Sequence, residues 1–403
     1  MTRVVPVAGG ITAPAGFRAT GVHCGIKAKG LDLAVIVPDA PAAAAAVFTV
    51  NRAQAAPVQV SRDHLQRTGG RTAAVVVNSG CANACTGEDG VRVAREIAAH
   101  AARHAGCRPD EVFVASTGVI GVALDGGRVA AGLDAAFATL DAPGGQDLAA
   151  QAIMTTDPFP KAHAARVETA GGACTIGGMA KGSGMIEPRM ATMLAFLTTD
   201  ARIAPALLQR ALREAVDVTF NAITVDGECS TNDCALVLAG GASGVTIEAP
   251  AYAAFVEGLR TVCERLALDI VRGGEGATKL VTVRVTGAAT ADEARTAARA
   301  IANSLLCKTA IHGADPNWGR FIAVAGRAGV AFALDRATMA VGPTVLFSHG
   351  RPHDERAPEA AARLREKEIE VTVDLGAGGA GEATVWTCDL SADYVRINAD
   401  YRT

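Results

Sequence analysis

Apolar residues recur at helical spacing over 90–104, 205–216, 251–268 and 291–305, and each span predicts an amphipathic helix. Shorter apolar, β-branched runs at 73–77, 112–115, 165–168, 193–197, 280–285 and 369–373 predict strands. Pro41 and the alanine run 42–46 read as a strand or its edge. Helical and extended spans are mixed without a strict βαβ rhythm. That order predicts an α/β fold of layered sheets with helices outside, not a doubly wound parallel sheet. No internal repeat of fixed period is present. The small, polar stretch Thr286-Gly287-Ala288-Ala289-Thr290 predicts a boundary, with a larger domain over 1–285 and a smaller one over 286–403.

Composition narrows the class. The 403 residues are half hydrophobic and one-fifth charged, which excludes a disordered or collagen-like chain and suffices for a sizeable core. Aromatics are 4%, so that core must be built from Ala, Val, Leu and Ile, and 44 glycines point to tight turns and close backbone approaches. The net charge of -3, with no basic stripe, argues against nucleic acid. No apolar run reaches the roughly 18 residues of a membrane helix. Thr2-Arg3-Val4-Val5-Pro6 offers no long apolar export segment, so a cytoplasmic location is expected. Ten cysteines in mostly apolar surroundings read as reduced, buried thiols.

The candidate chemistry lies in Gly177-Gly178-Met179-Ala180-Lys181-Gly182-Ser183-Gly184-Met185-Ile186-Glu187-Pro188, which runs into Arg189-Met190-Ala191-Thr192-Met193-Leu194. A Gly-rich loop presents one lysine, then an apolar strand opens with one hydroxyl. The residues alone leave two readings. Lys181 on a solvated loop and Thr192 as strand filler is the plain one. The other makes Thr192 a nucleophile, which requires a base beside it. A free α-amino group on the same residue, with an ordinary pKa near 7.7–8.0, is such a base. An internal threonine acquires that amine only if the chain is cut before it, at Ala191–Thr192.

The run from Lys181 to Asp200 resembles the processing-site signature of the ornithine acetyltransferase family, the glutamate N-acetyltransferases of cyclic arginine biosynthesis. The resemblance continues along nearly the whole chain. It is carried by Gly16-Phe17, Gly25-Ile26-Lys27, Val47-Phe48-Thr49 with Asn51, Ala56-Pro57-Val58, and Asn78-Ser79-Gly80-Cys81-Ala82-Asn83-Ala84-Cys85-Thr86-Gly87. Then follow Ser116-Thr117-Gly118-Val119-Ile120-Gly121, Met154-Thr155-Thr156-Asp157, Asp226-Gly227, Ser230-Thr231-Asn232-Asp233 and Gly274-Glu275-Gly276-Ala277-Thr278-Lys279. Gly313-Ala314-Asp315-Pro316-Asn317-Trp318-Gly319-Arg320 and Asp393-Tyr394-Val395 close the series.

The resemblance implies a layered α/β/β/α sandwich, shared with self-cleaving aminopeptidases, and a smaller C-terminal α/β domain. It implies self-cleavage into an α chain, 1–191, and a β chain, 192–403, assembling as two of each. It implies acetyl transfer from N2-acetyl-L-ornithine to L-glutamate through an acetyl-Thr192 intermediate, with an oxyanion hole at Thr117 and Gly118. Thr155, Lys181, Thr192, Glu275, Asn398 and Thr403 are implied as substrate contacts. No cofactor and no catalytic metal are expected, and acetyl-CoA is left open as a second acetyl donor. The rival activity is hydrolysis by the same self-made nucleophile, as in an N-terminal-threonine aminopeptidase or amidohydrolase. A non-catalytic binding protein is disfavoured by the presence of Thr192, Thr117 and Lys181.

Other signals are set aside. Gly273-Gly274-Glu275-Gly276-Ala277-Thr278-Lys279 lacks the Gly-Lys-Ser/Thr order of a phosphate loop. The pairs Cys81/Cys85 and Cys229/Cys234 lack a matching second ligand pair and read as free core thiols. His100 and His104, one turn apart and beside Arg103, read as a solvated helix face. His349 and His353 read as loop residues. Ser183 has no base in cis to make it a nucleophile.

Overall fold

The computed structural model describes residues 3–169, 171–187 and 193–400. The chain divides into two units, one built from residues through Asn221 together with Glu228–Ile270, the other from Ala222–Gly227 and the chain from Val271 onward.

The first unit holds strands β1 (Arg3–Val7), β2 (Phe17–Val22), β3 (Leu33–Pro38), β4 (Ala42–Phe48), β5 (Arg71–Thr72), β6 (Ala74–Cys81), β7 (Val112–Val119), β8 (Lys161–Thr169), β9 (Gly172–Lys181), β10 (Leu194–Thr199) and β11 (Cys234–Ala239). Its helices are α1 (Ala56–Arg67), α2 (Gly87–Ala105), α3 (Gly126–Ala138), α4 (Gly145–Ala152), α5 (Pro205–Asp217) and α6 (Ala249–Arg272), the last turn of which crosses into the second unit. One sheet runs β1-β8-β9-β10-β11-β4-β5, and the other runs β2-β3-β6-β7. Pairing is antiparallel except for β10–β11 and β6–β7.

Side-chain alternation explains the layering. Ile36, Val75, Val77 and Phe113 of the smaller sheet share one core with Ala44, Ala46, Met179, Phe196 and Leu236 of the larger. The intervening residues Val35, Val76, Val112 and Val114 face the other way, against Ile97, Ala98 and Ala101 of α2 and Val129 and Leu133 of α3. On the far side of the larger sheet, the Gln209 side chain of α5 donates to Ala46 O and accepts from Ala46 N. Gly258 and Leu266 of α6 lie against Val167 and Gly178. The result is the expected helix–sheet–sheet–helix sandwich. The alanine run occupies β4, inside the sheet between β11 and the short β5.

The second unit holds β12 (Leu280–Ala288), β13 (Thr338–Val341), β14 (Thr344–Ser348), β15 (Arg351–Pro352), β16 (Glu368–Asp374) and β17 (Gly381–Cys388), in the order β15-β14-β13-β16-β12-β17. Helices α7 (Ala291–Ala302), α8 (Leu305–His312), α9 (Trp318–Gly326) and α10 (Ala357–Arg363) supply Ala298, Ile311, Phe321 and Ala360 to a core with Val283, Met339, Val371 and Val385. Helix α11 (Ala392–Asp400) ends the described chain. The 222–227 excursion belongs here because Thr224 N donates to Trp386 O at 2.9 Å.

Two sequence expectations shift. The boundary expected at 285/286 would cut β12, which pairs along its length with β16 and β17, so that 286–288 are still strand and only 289–290 lead into α7. The predicted helix 291–305 breaks at Asn303, because the Ser304 hydroxyl accepts from Cys307 N and caps a new helix. None of the ten cysteines is joined in a disulfide, but Cys85 is exposed and Cys229 half-buried, so neither is the core thiol expected of it.

Candidate functional site

Strands β6 and β7 run past their apolar stretches into Asn78–Cys81 and Ser116–Val119. A polar network holds these ends in place. Ser116 Oγ donates to Asn78 Oδ1 at 2.6 Å, and Asn78 Nδ2 donates to Cys81 O at 2.8 Å. Asn232 Nδ2 donates to both Ala82 O (2.6 Å) and Ser116 O (2.9 Å). The next residues, Thr117 and Gly118, are half-buried at the strand end. Gly118 has φ +126°, and a Cβ there would stand 2.4 Å from Gly80 C, so only glycine fits.

Lys181 ends β9 opposite Leu194 of β10. It is buried, and its Nζ donates to Thr117 Oγ1 at 3.2 Å. Thr155 joins this cluster through Asp157. Asp157 Oδ2 accepts from Thr155 N at 3.0 Å, while Oδ1 accepts from Gly182 N at 2.7 Å and from Lys161 Nζ at 2.6 Å. The side chains of Asp157 and Lys161 are wholly buried. Burial alone would raise the Asp157 pKa, but the Lys181 and Lys161 charges and these hydrogen bonds prevail and hold it at about 2. Burial pulls the Lys161 ammonium below its ordinary value, against the opposing pull of Asp157.

A third support comes from the 23–32 loop. The buried Asp32 carboxylate accepts from the backbone N–H groups of Cys24, Gly25, Ile26 and Lys27. Burial opposes its charge, yet the N–H donors hold its pKa below the ordinary value. The loop so fixed lets Lys27 Nζ donate to Met154 O at 3.0 Å, next to Thr155. Burial lowers the Lys27 pKa.

In the second unit, Glu275 is buried and its Oε2 accepts from Asn398 Nδ2 at 2.8 Å. Asn398 Nδ2 also donates to Tyr394 O, and Tyr394 Oη donates to Asp226 Oδ2 at 3.3 Å. The Glu275 loop is pinned on both sides. Ser391 Oγ donates to Gly276 O at 2.6 Å. Asp389 accepts from Thr278 N, Thr278 Oγ1 and Lys279 N, and its Oδ2 lies 2.7 Å from His312 Nδ1. Burial works against the Asp389 charge, but these donors hold its pKa below the ordinary carboxylate value.

Of the residues expected in the site, Thr117, Gly118, Thr155 and Lys181 gather in the first unit, and Glu275 and Asn398 meet in the second. Ala191, Thr192 and Thr403 lie outside the described residues. Ser183, the rival nucleophile, is buried. Asp157, Asp32, Lys27 and Asn232 organise the clusters but had no assigned role. All except Asp32 sit inside the motifs that carry the family resemblance, and that was the one signal available for them.

These features define a class: a two-sheet α/β sandwich with a threonine–lysine pair where its strands β7 and β9 end. The chain belongs to the ArgJ family, whose model matches residues 18–403. It is 53% identical to the arginine biosynthesis bifunctional protein ArgJ of Symbiobacterium thermophilum, over 98% of this chain and 99% of that one. It is 47% identical to the ArgJ protein of Chlorobaculum tepidum, over 99% and 98%. The crystal structure of ArgJ from Bacillus halodurans is 45% identical, with a TM-score of 0.50, and covers 52% of this chain and 100% of the crystallised one. Membership places the chain among enzymes of arginine biosynthesis.

Proposed function

We propose that the chain is a self-processing glutamate N-acetyltransferase. The Thr192 hydroxyl attacks the Ala191 carbonyl carbon, the peptide C–N bond breaks as an ester forms, and water hydrolyses that ester. Fragment 1–191 leaves with a carboxylate, and Thr192 gains a free α-amine. The amine then takes the hydroxyl proton as Oγ attacks the acetyl carbon of N2-acetyl-L-ornithine. Ornithine departs with that proton on its amine, and the α-amine of L-glutamate attacks the acetyl-Thr192 ester. One nucleophile thus serves two amino acids in turn.

Thr117 and Gly118 stabilise the oxyanion of each tetrahedral intermediate. Lys181 receives the substrate carboxylate, and Thr155 lines the same cluster. Glu275 is assigned the ornithine ammonium, with Asn398 orienting Glu275, and Thr403 is a further substrate contact. No cofactor takes part. Acetyl-CoA serves as a second acetyl donor if the chain is bifunctional, as its curated relatives are named. The working particle contains two α and two β chains in the cytoplasm. Among the described residues, no helix is long and apolar enough to cross a membrane.

The observation that carries this reading is the Lys181–Thr117 hydrogen bond, found in a chain matched by the ArgJ family over 18–403. The crystallised Bacillus halodurans chain, matched in full, covers only about half of this one, as either product of a cut at 191 would. The test is brief incubation with acetyl-labelled N2-acetyl-L-ornithine, without acceptor, followed by mass analysis. One acetyl group on a fragment beginning Thr-Met-Leu-Ala-Phe, discharged by glutamate faster than by water, supports the assignment. Discharge by water alone favours the hydrolase.

A further inference from the structure

We propose that His100, His104 and Asp134 form a binding site for a divalent transition-metal ion in the outer helical layer of the first unit. None of the three belongs to the clusters described above. His100 and His104 are four residues apart on α2, so their rings share a face, with centroids 5.4 Å apart. Asp134 comes from α3. Both Nε2 atoms lie 2.7 Å from the same carboxylate oxygen, Asp134 Oδ1. The three donor atoms lie within 4.8 Å of one another. His104 is further fixed by stacking on Phe137 of α3, at 5.0 Å between centroids and 12° between planes.

Two imidazoles and one carboxylate are a donor set suited to zinc, and also to copper or nickel. A tetrahedral ion with bonds of about 2.0–2.2 Å keeps its donor atoms about 3.4 Å apart. The 2.7 Å nitrogen–oxygen distances therefore need to open by well under one ångström. Side-chain rotation suffices for that, because the carboxylate is 58% exposed and the rings 20% and 34%. His104 and Asp134 also line an open groove of about 540 Å³, which gives an ion access from solvent and leaves room for a water at a fourth position.

Arg103 opposes the ion. Its Nη2 lies 2.7 Å from His100 Nδ1 and donates there, which keeps the ring proton on Nε2, facing Asp134. A metal needs the Nε2 lone pair, so the proton must move to Nδ1 and Arg103 must turn away. The site is therefore exchangeable, with Arg103 as a competitor for its first ligand.

The test uses the full chain in a Cys85→Ser background, stripped with chelator and titrated calorimetrically with Zn²⁺. Co²⁺ absorption provides a second readout. The expected result is one saturable equivalent and cobalt d–d bands without a thiolate charge-transfer band. His100→Ala and His104→Ala should each weaken binding by at least about tenfold, and Arg103→Ala should tighten it. Acetyl transfer should stay unchanged in all three. If a histidine variant does not fold, Asp134→Asn takes its place. The proposal is overturned by equal Zn²⁺ binding in the parent and the His100→Ala/His104→Ala double variant, by no saturable binding at submillimolar metal, or by a thiolate band on cobalt.

Discussion

Thr117 and Lys181 take part directly in the proposed chemistry and Asp157 supports them from behind, and single substitutions separate the three. In the proposed mechanism Thr117→Ala removes a donor aimed at developing charge, so kcat should fall by about 2.7–4 kcal/mol of transition-state stabilisation while KM stays nearly constant. On the same proposal, Lys181→Met removes a charged partner for the substrate carboxylate. KM for both amino acids should then rise by a factor corresponding to about 1.5–3 kcal/mol, read from initial rates against each substrate. Asp157 touches no substrate in the proposed mechanism. Asp157→Ala leaves the buried Lys161 ammonium unpaired, which should lower unfolding free energy by about 3–5 kcal/mol in urea titrations. Because the Asp157 pKa is depressed to about 2 from 3.8, its stabilisation is complete above 3.8 and is lost as pH falls towards 2. Acid unfolding followed by circular dichroism should move to higher pH when Lys181, one of the charges holding that value down, becomes Met.

At the scale of elements, the decisive feature is how two parallel strand ends are kept extended beyond their apolar cores. Asn78, Ser116 and Asn232 hold the tips of β6 and β7 with side-chain hydrogen bonds, so Thr117 and Gly118 sit on a fixed strand end. Gly118→Ala puts a methyl group 2.4 Å from Gly80 C at a φ that alanine rarely adopts. The tip must shift, at a cost above about 1–2 kcal/mol, and self-processing should slow sharply, measured as persistence of the full-length band. Much of this layer was visible beforehand. Apolar periodicity located α2, α5, α6 and the cores of six strands, because burial on one face leaves a regular trace. It misplaced the end of α7, since a single serine cap stops a helix without interrupting apolar spacing.

At the scale of the whole molecule, the expected cut at 191 does not coincide with either compact unit. Within the larger sheet, β10 and β11 come from residues after 191, yet they lie between β9 and β4, which come from before it. Cleavage would leave the two products woven into one sheet, joined by the β9–β10 and β11–β4 ladders. The fragments should therefore co-elute in native chromatography and separate only in denaturant. Separation of cleaved fragments under native conditions would contradict this pairing.

The layered α/β class, the family and the identity of the residues in the proposed chemistry are legible in the chain alone. These follow from side-chain periodicity and from motifs contiguous along the chain. Packing settles which residues meet: Lys181 with Thr117, Asp157 with Gly182, Glu275 with Asn398, and Asp134 with two histidines read as a solvated face. Such pairs are separated by 25 to 123 positions, and spacing along the chain carries no signal for contacts made by the packing of distant strands and helices.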